Sequence, residues 1–164
     1  MKKVWIVVVL MLLLCGCRAK DVETVLDTFD IPVLTPAGQL MLSLPEEASV
    51  PTMESVEGGK LYLCDGYTLT VQTFLSGDLG STIRQTTGFT SDQITMIQTQ
   101  QNGVRRYACV WSAAGEGGDQ VGRAVILDDG NYHYAVCVMA DFEAAGNLTD
   151  TWQGLLDSVR LRTD

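Results

Sequence analysis

The residues of this chain that most readily act as nucleophile and base are three of its five cysteines and its one histidine. Catalysis of the Cys-His or Ser-His-Asp kind would have to use His133, the only histidine in the sequence. However, Cys64, Cys109 and Cys137 each lie in an apolar, strand-like run, and His133 lies between two tyrosines in another. We therefore expect buried thiols that act as small hydrophobes, with one intramolecular disulfide as the alternative. His133 is expected to be hydrogen-bonded on a sheet face, and no catalytic residue is predicted.

Two polar segments resemble ligand-binding loops only superficially. The segment Gly115-Glu116-Gly117-Gly118 is rich in glycine but lacks the lysine of a P-loop. The segment from Asp128 to Asn131 is acidic but lacks the spaced oxygen ligands and the distal glutamate of an EF-hand. A single histidine also argues against a zinc site. We predict no metal and no cofactor, and we expect the glycine-rich segment to be a flexible connection between two hairpins. The alternative is that this loop is a mobile lip over a partner-binding surface.

Arg105 and Arg106 form the one paired basic spot in the domain, and they closely follow the turn-forming pair Asn102-Gly103. In a strand, neighbouring residues point to opposite faces, so the two arginines are expected on opposite sides of a hairpin. One interpretation is that they bind an acidic partner. The alternative is that they only keep a strand edge soluble.

Four aromatic residues could line a pocket for a small molecule. They are Trp111, Tyr132, Tyr134 and Trp152. Aromatic side chains at such spacing more often fill a core, so a small-molecule-binding protein is the alternative function and not the favoured one.

The N-terminus has the features of an export signal. Lys2 and Lys3 are followed by the unbroken apolar run Val4–Leu14, and charged residues return from Arg18 onward. A signal-peptide core has about this length, whereas a membrane-spanning helix needs about 20 apolar residues. The sequence therefore predicts a signal peptide over residues 1–16.

The residues that end this run are Leu14, Cys15, Gly16 and Cys17. They resemble the lipobox of bacterial lipoproteins, in which an aliphatic, a variable and a small residue precede the cysteine that is lipidated. The resemblance implies signal-peptidase recognition of Leu14, Cys15 and Gly16, cleavage before Cys17, and a diacylglyceryl thioether on Cys17. It further implies a chain anchored to the cell membrane by this lipid and facing outside the cytoplasm.

The charge of the chain excludes one class of partner. The net charge is −9 for the whole sequence, and removal of Lys2 and Lys3 with the leader makes it −11. Such a surface is repelled by phosphate groups, so we expect no nucleic-acid partner. The residues left after cleavage are enough for one domain with its own core.

The mature chain divides into a tether and a domain. Residues 17–37 contain Pro32 and Pro36, which end any helix before the domain begins. From Gly38 the apolar pattern has mostly period two, which is typical of strands. We therefore predict a lipidated N-terminus and tether over 17–37 and a single domain over 38–164.

Three turn-forming pairs predict three hairpins in this domain. They are Asp65-Gly66, Asn102-Gly103 and Asp129-Gly130, and each suits a two-residue turn. A two-residue turn at the third pair would place Leu127 opposite Tyr132. The sequence also predicts a first strand over 39–44, a short helix over 78–87, and a C-terminal helix capped by Asn147.

This order of elements, together with the runs SLPEEA and GRAVILDDGNYHYAVCVMAD, resembles the PsbP-like fold of small secreted bacterial lipoproteins. The resemblance covers residues 38–162. It implies an α+β architecture in which a curved antiparallel sheet is flanked by helices, an α/β/α sandwich. Proteins with that fold serve as accessory and assembly factors and share no active site.

These features together favour a non-enzymatic binding or assembly module of the cell envelope, whose envelope protein partner is unknown. The candidate contact residues are Arg105, Arg106 and the loop Gly115–Gly118. An exposed sheet edge and a groove between the sheet and the C-terminal helix are the candidate surfaces. A small-molecule-binding lipoprotein is the alternative, and a hydrolase with an unrecognised site is less favoured.

Overall fold

The computed structural model describes residues 38–114 and 118–162, which form two antiparallel sheets and two α-helices. The elements in chain order are β1 (Gln39–Met41), a 3-10 helix (Glu46–Ala48), β2 (Met53–Glu54), β3 (Lys60–Cys64), β4 (Tyr67–Leu75), α1 (Leu79–Thr87), β5 (Thr95–Gln101), β6 (Val104–Ala113), β7 (Gln120–Asp128), β8 (Tyr132–Asp141), α2 (Phe142–Ser158) and β9 (Arg160–Arg162). The predicted α+β class is confirmed.

Seven strands form the main sheet, in the order β2-β3-β4-β8-β7-β6-β5. All of its neighbouring pairs are antiparallel. A separate two-stranded sheet pairs β1 with β9. The first predicted strand is therefore shorter than expected, and β9 was not predicted, because three residues give too short a pattern to read.

Two of the predicted hairpins have the expected register. Cys64 pairs with Tyr67 across Asp65-Gly66, and Gln101 pairs with Val104 across the next turn. In that second turn Asn102 has φ 52° and Gly103 has φ 80°. Two consecutive positive φ values are the signature of a type I′ turn, which fits the right-handed twist of the strands.

The predicted register of the third hairpin was wrong by two residues. Leu127 pairs with Tyr134 and not with Tyr132. The reason lies in the turn, where the Asp129 carboxylate accepts hydrogen bonds from the amides of Asn131 at 2.8 Å and Tyr132 at 2.7 Å. Side-chain capping of this kind closes a longer loop than Asp129-Gly130 alone. A shift of two residues leaves every side chain on its predicted face.

The two helices cover opposite faces of the main sheet. Along β7, Val125 and Leu127 pack in the same cluster as Trp152 of α2. Ile126 lies between them in sequence and packs instead against Ile83 of α1. Because side chains alternate along a strand, these contacts define an α2 face and an α1 face, as the flanked-sheet prediction requires.

The two helix starts differ in how well the sequence predicted them. Helix α1 begins after Asp78, whose carboxylate accepts hydrogen bonds from two following amides, and ends at Gly88 with φ 80°. These are local caps, and the prediction is confirmed. Helix α2 begins at Phe142 and not at Asn147. Its first amide donates to the carbonyl of Asp119 at 2.7 Å, a tertiary contact that no local pattern shows.

A glycine near the start of β7 fixes the packing of a tryptophan on the α1 face. Gly122 of β7 pairs directly with Trp111 of β6. A side chain at Gly122 would overlap the indole ring, which lies over this position. Trp111 itself is 5% exposed and lies near Phe89. Glycine is therefore required here so that an aromatic ring can approach the backbone closely.

Candidate functional site

A buried polar network surrounds His133 on the α1 face. The ring Nδ1 lies 2.7 Å from the hydroxyl of Thr82 on α1. The ring Nε2 lies 3.4 Å from the hydroxyl of Ser76 and 3.5 Å from a carboxylate oxygen of Asp128. His133 is 1% exposed and Asp128 is 3% exposed. Both ring nitrogens therefore have polar partners, and which of them donates depends on the tautomer.

This network is not arranged as a catalytic triad. A triad places the nucleophile and the carboxylate on opposite ring nitrogens, but Ser76 and Asp128 both lie at Nε2. Thr82 lies at the other nitrogen, on the buried side of α1, and is 3% exposed. The expectation of a hydrogen-bonded histidine on a sheet face is confirmed. Its partners were not predicted, because the assumed register did not place Asp128 opposite His133.

The three cysteines outside the N-terminal segment are free and lie on different faces. Cys109 and Cys137 flank Ala124 on the α1 face, and both are buried. Burial raises the pKa of Cys109 to about 11 and that of Cys137 to about 12. Cys64 packs against the α2-face cluster, opposite to His133. The prediction of small buried hydrophobes holds for two of the three, and Cys64 is only partly buried.

The adjacent arginines point to opposite faces, as predicted, and each has an internal partner. On the α1 face, Arg105 forms a 2.7 Å ion pair with the buried Asp128. On the α2 face, Arg106 donates to the carbonyls of Leu156 at 2.8 Å and Val159 at 3.1 Å. Helix C-termini leave carbonyls without partners, and a cation there also complements the helix dipole. Arg106 therefore holds the end of α2 against the sheet.

The contacts of Arg106 lie at the bottom of a groove of about 530 Å³ on the α2 face. The groove lies between the β5–β6 turn, the last turn of α2 and β9. Its lining combines an apolar floor with exposed polar side chains: Thr99, Gln101, Asn102, Val104, Arg106, Leu127, Asp157, Val159, Arg160 and Leu161. The predicted groove between the sheet and the C-terminal helix therefore exists.

The positive charges in this groove are partly balanced by a carboxylate. Burial lowers the pKa of Arg106, and the nearby carboxylate of Asp157 partly offsets that effect. Asp157 itself accepts a hydrogen bond from Gln153 at 2.6 Å. Arg160, which is exposed, is the other basic side chain of the lining. The groove thus offers both signs of charge and several amide and hydroxyl groups.

The sheet edge beside this groove is the strand β5. Every one of its residues is exposed, and Ile97 is 64% exposed. On the neighbouring strand Val110 is 44% exposed. Exposed apolar side chains on an open strand edge are typical of surfaces that bind another chain.

The other predicted contact residues lie elsewhere in the fold or outside the described residues. Gly115, Glu116 and Gly117 fall outside the described residues. Gly118, with φ 112°, precedes β7 and so lies at the end of the sheet opposite to Arg105 and Arg106. The structure therefore does not bring the two predicted contact patches together.

The four aromatic residues of the small-molecule alternative do not share one cavity. Trp111 belongs to the α1-face cluster. Tyr134 and Trp152 are buried in the α2-face cluster, with Tyr132 packed against it. None of the four lines the groove.

The lipidation site falls outside the described residues, as do Leu14, Cys15 and Gly16. Neither helix of the described part of the chain has the length and apolar character of a membrane span. Within residues 38–114 and 118–162, no group of three or more His, Cys, Asp or Glu is placed to hold a metal ion.

Comparison with known proteins gave no family. No family model matches the chain, and no curated protein matches it. One similar solved structure is LpqN of Mycobacterium tuberculosis, described as involved in cell envelope biogenesis. It is 13% identical with a TM-score of 0.48, over 76% of this chain and 83% of that one. Another is PA94 of Pseudomonas aeruginosa, a protein of unknown function, which is 12% identical with a TM-score of 0.45, over 71% and 92%. At these values neither likeness carries an argument about function.

Proposed function

We propose that this protein is a lipid-anchored envelope lipoprotein whose domain binds another component of the cell envelope without catalysing a reaction. The proposed anchor is supported by the sequence of the leader, in which Leu14 and Gly16 precede Cys17 as in a lipobox. A domain of PsbP-like type fits the same proposal. An exported domain held at the membrane surface meets its partners there by proximity.

The observation that carries the binding proposal is the groove beside β5. It is open, it contains both charge signs, and its apolar floor includes Val104 and Leu127. Interfaces commonly combine an apolar centre with a polar rim in this way. In contrast, the titratable groups that resemble catalytic residues are buried in the network of His133 and Asp128.

A second candidate function is small-molecule binding in the same groove. Its volume of about 530 Å³ lies within the usual range of ligand sites, about 300–1,000 Å³. The ligand would contact Arg106 and Arg160 at its polar end and the apolar floor at the other. Native mass spectrometry of the protein released from membranes distinguishes this candidate, because a retained ligand adds a discrete mass.

The anchor is tested by intact mass of the full-length protein from bacterial membranes. We expect a mature start at Cys17 with an added diacylglyceryl mass, and neither feature in a Cys17→Ser variant. A chain that keeps residues 1–16, or one that is cut elsewhere and released, would contradict the anchor.

The binding surface is tested by photo-crosslinking in cells. A crosslinking amino acid replaces Arg160, which lines the groove, or Gln85, which is exposed on α1 and serves as the matched control. We expect a discrete product that contains another envelope component from the Arg160 position only. Equal products from both positions, or none from either, would contradict a partner surface at the groove.

A further inference from the structure

The two edges of the main sheet differ in how they are protected. The β2 edge has only two residues, and Glu54 within it is paired with Lys60 at 3.2 Å. The β5 edge has seven residues, Thr95–Gln101, all exposed and none charged or proline. Its pairing with β6 is continuous, without a bulge. Short strands, charges, prolines and bulges are the usual protections of an edge, and β5 has none of them.

The type I′ turn determines which groups of β5 face outward. A two-residue hairpin makes its flanking pair, here Gln101 and Val104, a hydrogen-bonded pair. Hydrogen-bonded and non-hydrogen-bonded pairs then alternate along the strand. The amides and carbonyls of Met96, Gln98 and Gln100 therefore point away from β6, and within residues 38–114 and 118–162 no other strand pairs with them.

The sequence of β5 is complementary to itself. If two copies pair antiparallel about Gln98, each Gln98 meets the other, Ile97 meets Thr99, and Met96 meets Gln100. No like charges oppose each other, and glutamine amides meet in the middle. Such an arrangement has the two-fold symmetry that most homodimers show.

No charge on this edge opposes a second copy. The domain is acidic, but β5 and β6 contain no carboxylate. The only charges on β6 are Arg105 and Arg106, and both have internal partners. Two copies therefore approach through a neutral surface, and an acidic partner finds no unpaired cation on these strands.

We propose that β5 pairs antiparallel with β5 of a second copy about Gln98, so that the two main sheets join into one. The pairing forms about six main-chain hydrogen bonds, two at each outward-facing residue pair. It also covers the exposed side chains of Ile97 and Met96. The inference goes beyond the proposed function, because it holds whether or not the groove binds a partner.

The test is disulfide crosslinking of the full-length protein in membranes, in a Cys64→Ser background that removes the partly exposed thiol. In the proposed register the two Gln98 Cα atoms lie about 5.5 Å apart, which a disulfide spans. A Gln98→Cys variant is therefore expected to form a dimer on mild oxidation. Gln100→Cys is the matched control, because its two copies lie about 13 Å apart, out of reach.

Two variants that remove the pairing complete the test. Gln98→Pro removes an outward amide and leaves the bonds to β6 in place, and Ile97→Lys places a charge on the edge. Both are expected to convert a dimer into a monomer by light scattering, with unchanged circular dichroism. A monomeric wild-type protein, equal crosslinking at the two cysteine positions, or a Gln98→Cys product with a different protein would overturn the proposal.

Discussion

Replacement of Arg106 by methionine tests whether this residue stabilises the fold or recognises a partner. Methionine keeps most of the length of the side chain but cannot donate. The variant loses two hydrogen bonds, to the carbonyls of Leu156 and Val159. A hydrogen bond to a charged group contributes about 1.5–3 kcal/mol. Because the groove is open, water replaces part of this interaction, and we expect a total loss of about 2–3 kcal/mol.

The assay is urea unfolding monitored by circular dichroism. The wild-type protein and the variant are compared with one common slope for the dependence of the free energy of unfolding on urea concentration. Arg160→Met is the matched control, since Arg160 lines the same groove but is exposed. An exposed substitution of this kind changes stability by about 0.5 kcal/mol or less. We therefore expect a lower midpoint for Arg106→Met and an unchanged one for Arg160→Met.

Two results would refute this reasoning. One is a free energy of unfolding for Arg106→Met within about 0.5 kcal/mol of the wild-type value. The other is equal destabilisation by Arg160→Met, which would mean that loss of charge in the groove, and not loss of the α2 contacts, is responsible. If the Arg106→Met variant is as stable as the wild-type protein but no longer binds the partner, Arg106 recognises the partner, as predicted from the sequence.

Three further experiments test a tight packing contact, the reactivity of the thiols and the carboxylate in the β7–β8 turn. Gly122→Ala should lower the free energy of unfolding by about 1–3 kcal/mol through overpacking against Trp111, and the penalty should largely disappear in a Trp111→Leu background. Burial raises the pKa of all three thiols, but Cys64 is only partly buried, so a thiol reagent at pH 8 should modify it before Cys109 and Cys137. Equal rates by peptide mass mapping would contradict this. Burial alone would raise the pKa of Asp129, but hydrogen bonds from the turn outweigh it and lower the pKa from its ordinary value of 3.8. Its stabilisation is therefore present above pH 3.8 and lost as pH falls through the lower folded value, so Asp129→Asn should show a flatter Tm profile in acid than the wild-type protein.

Features fixed by neighbouring residues were predictable from the sequence. The turns at Asp65-Gly66 and Asn102-Gly103 have the predicted register, because in each of them the loop consists of only those two residues. Helix α1 has the predicted ends for the same reason, since Asp78 and Gly88 act on adjacent backbone. The alternation of apolar residues likewise assigned side chains to the correct faces.

Features that depend on distant contacts were not predictable. The start of α2 depends on the carbonyl of Asp119, and the groove forms only where α2, β9 and the β5–β6 turn meet. The register error at the third hairpin had the largest effect on the candidate site. The predicted register did not place Asp128 opposite His133, whereas in the structure the two residues are directly paired.

The neighbouring residues Arg105 and Arg106 show why two adjacent charges in a sequence do not by themselves identify a binding site. The sequence gives two cations but not their acceptors, and the structure supplies both acceptors internally, as Asp128 and the end of α2. What the β5 strand then offers another chain is main-chain hydrogen bonding and apolar contact, without strong electrostatic steering. Contacts of that kind hold two copies together once they meet, but they do not attract the copies from a distance. On a lipid anchor at Cys17, as proposed, copies share one membrane surface, and the higher effective concentration adds to the pairing at the β5 edge.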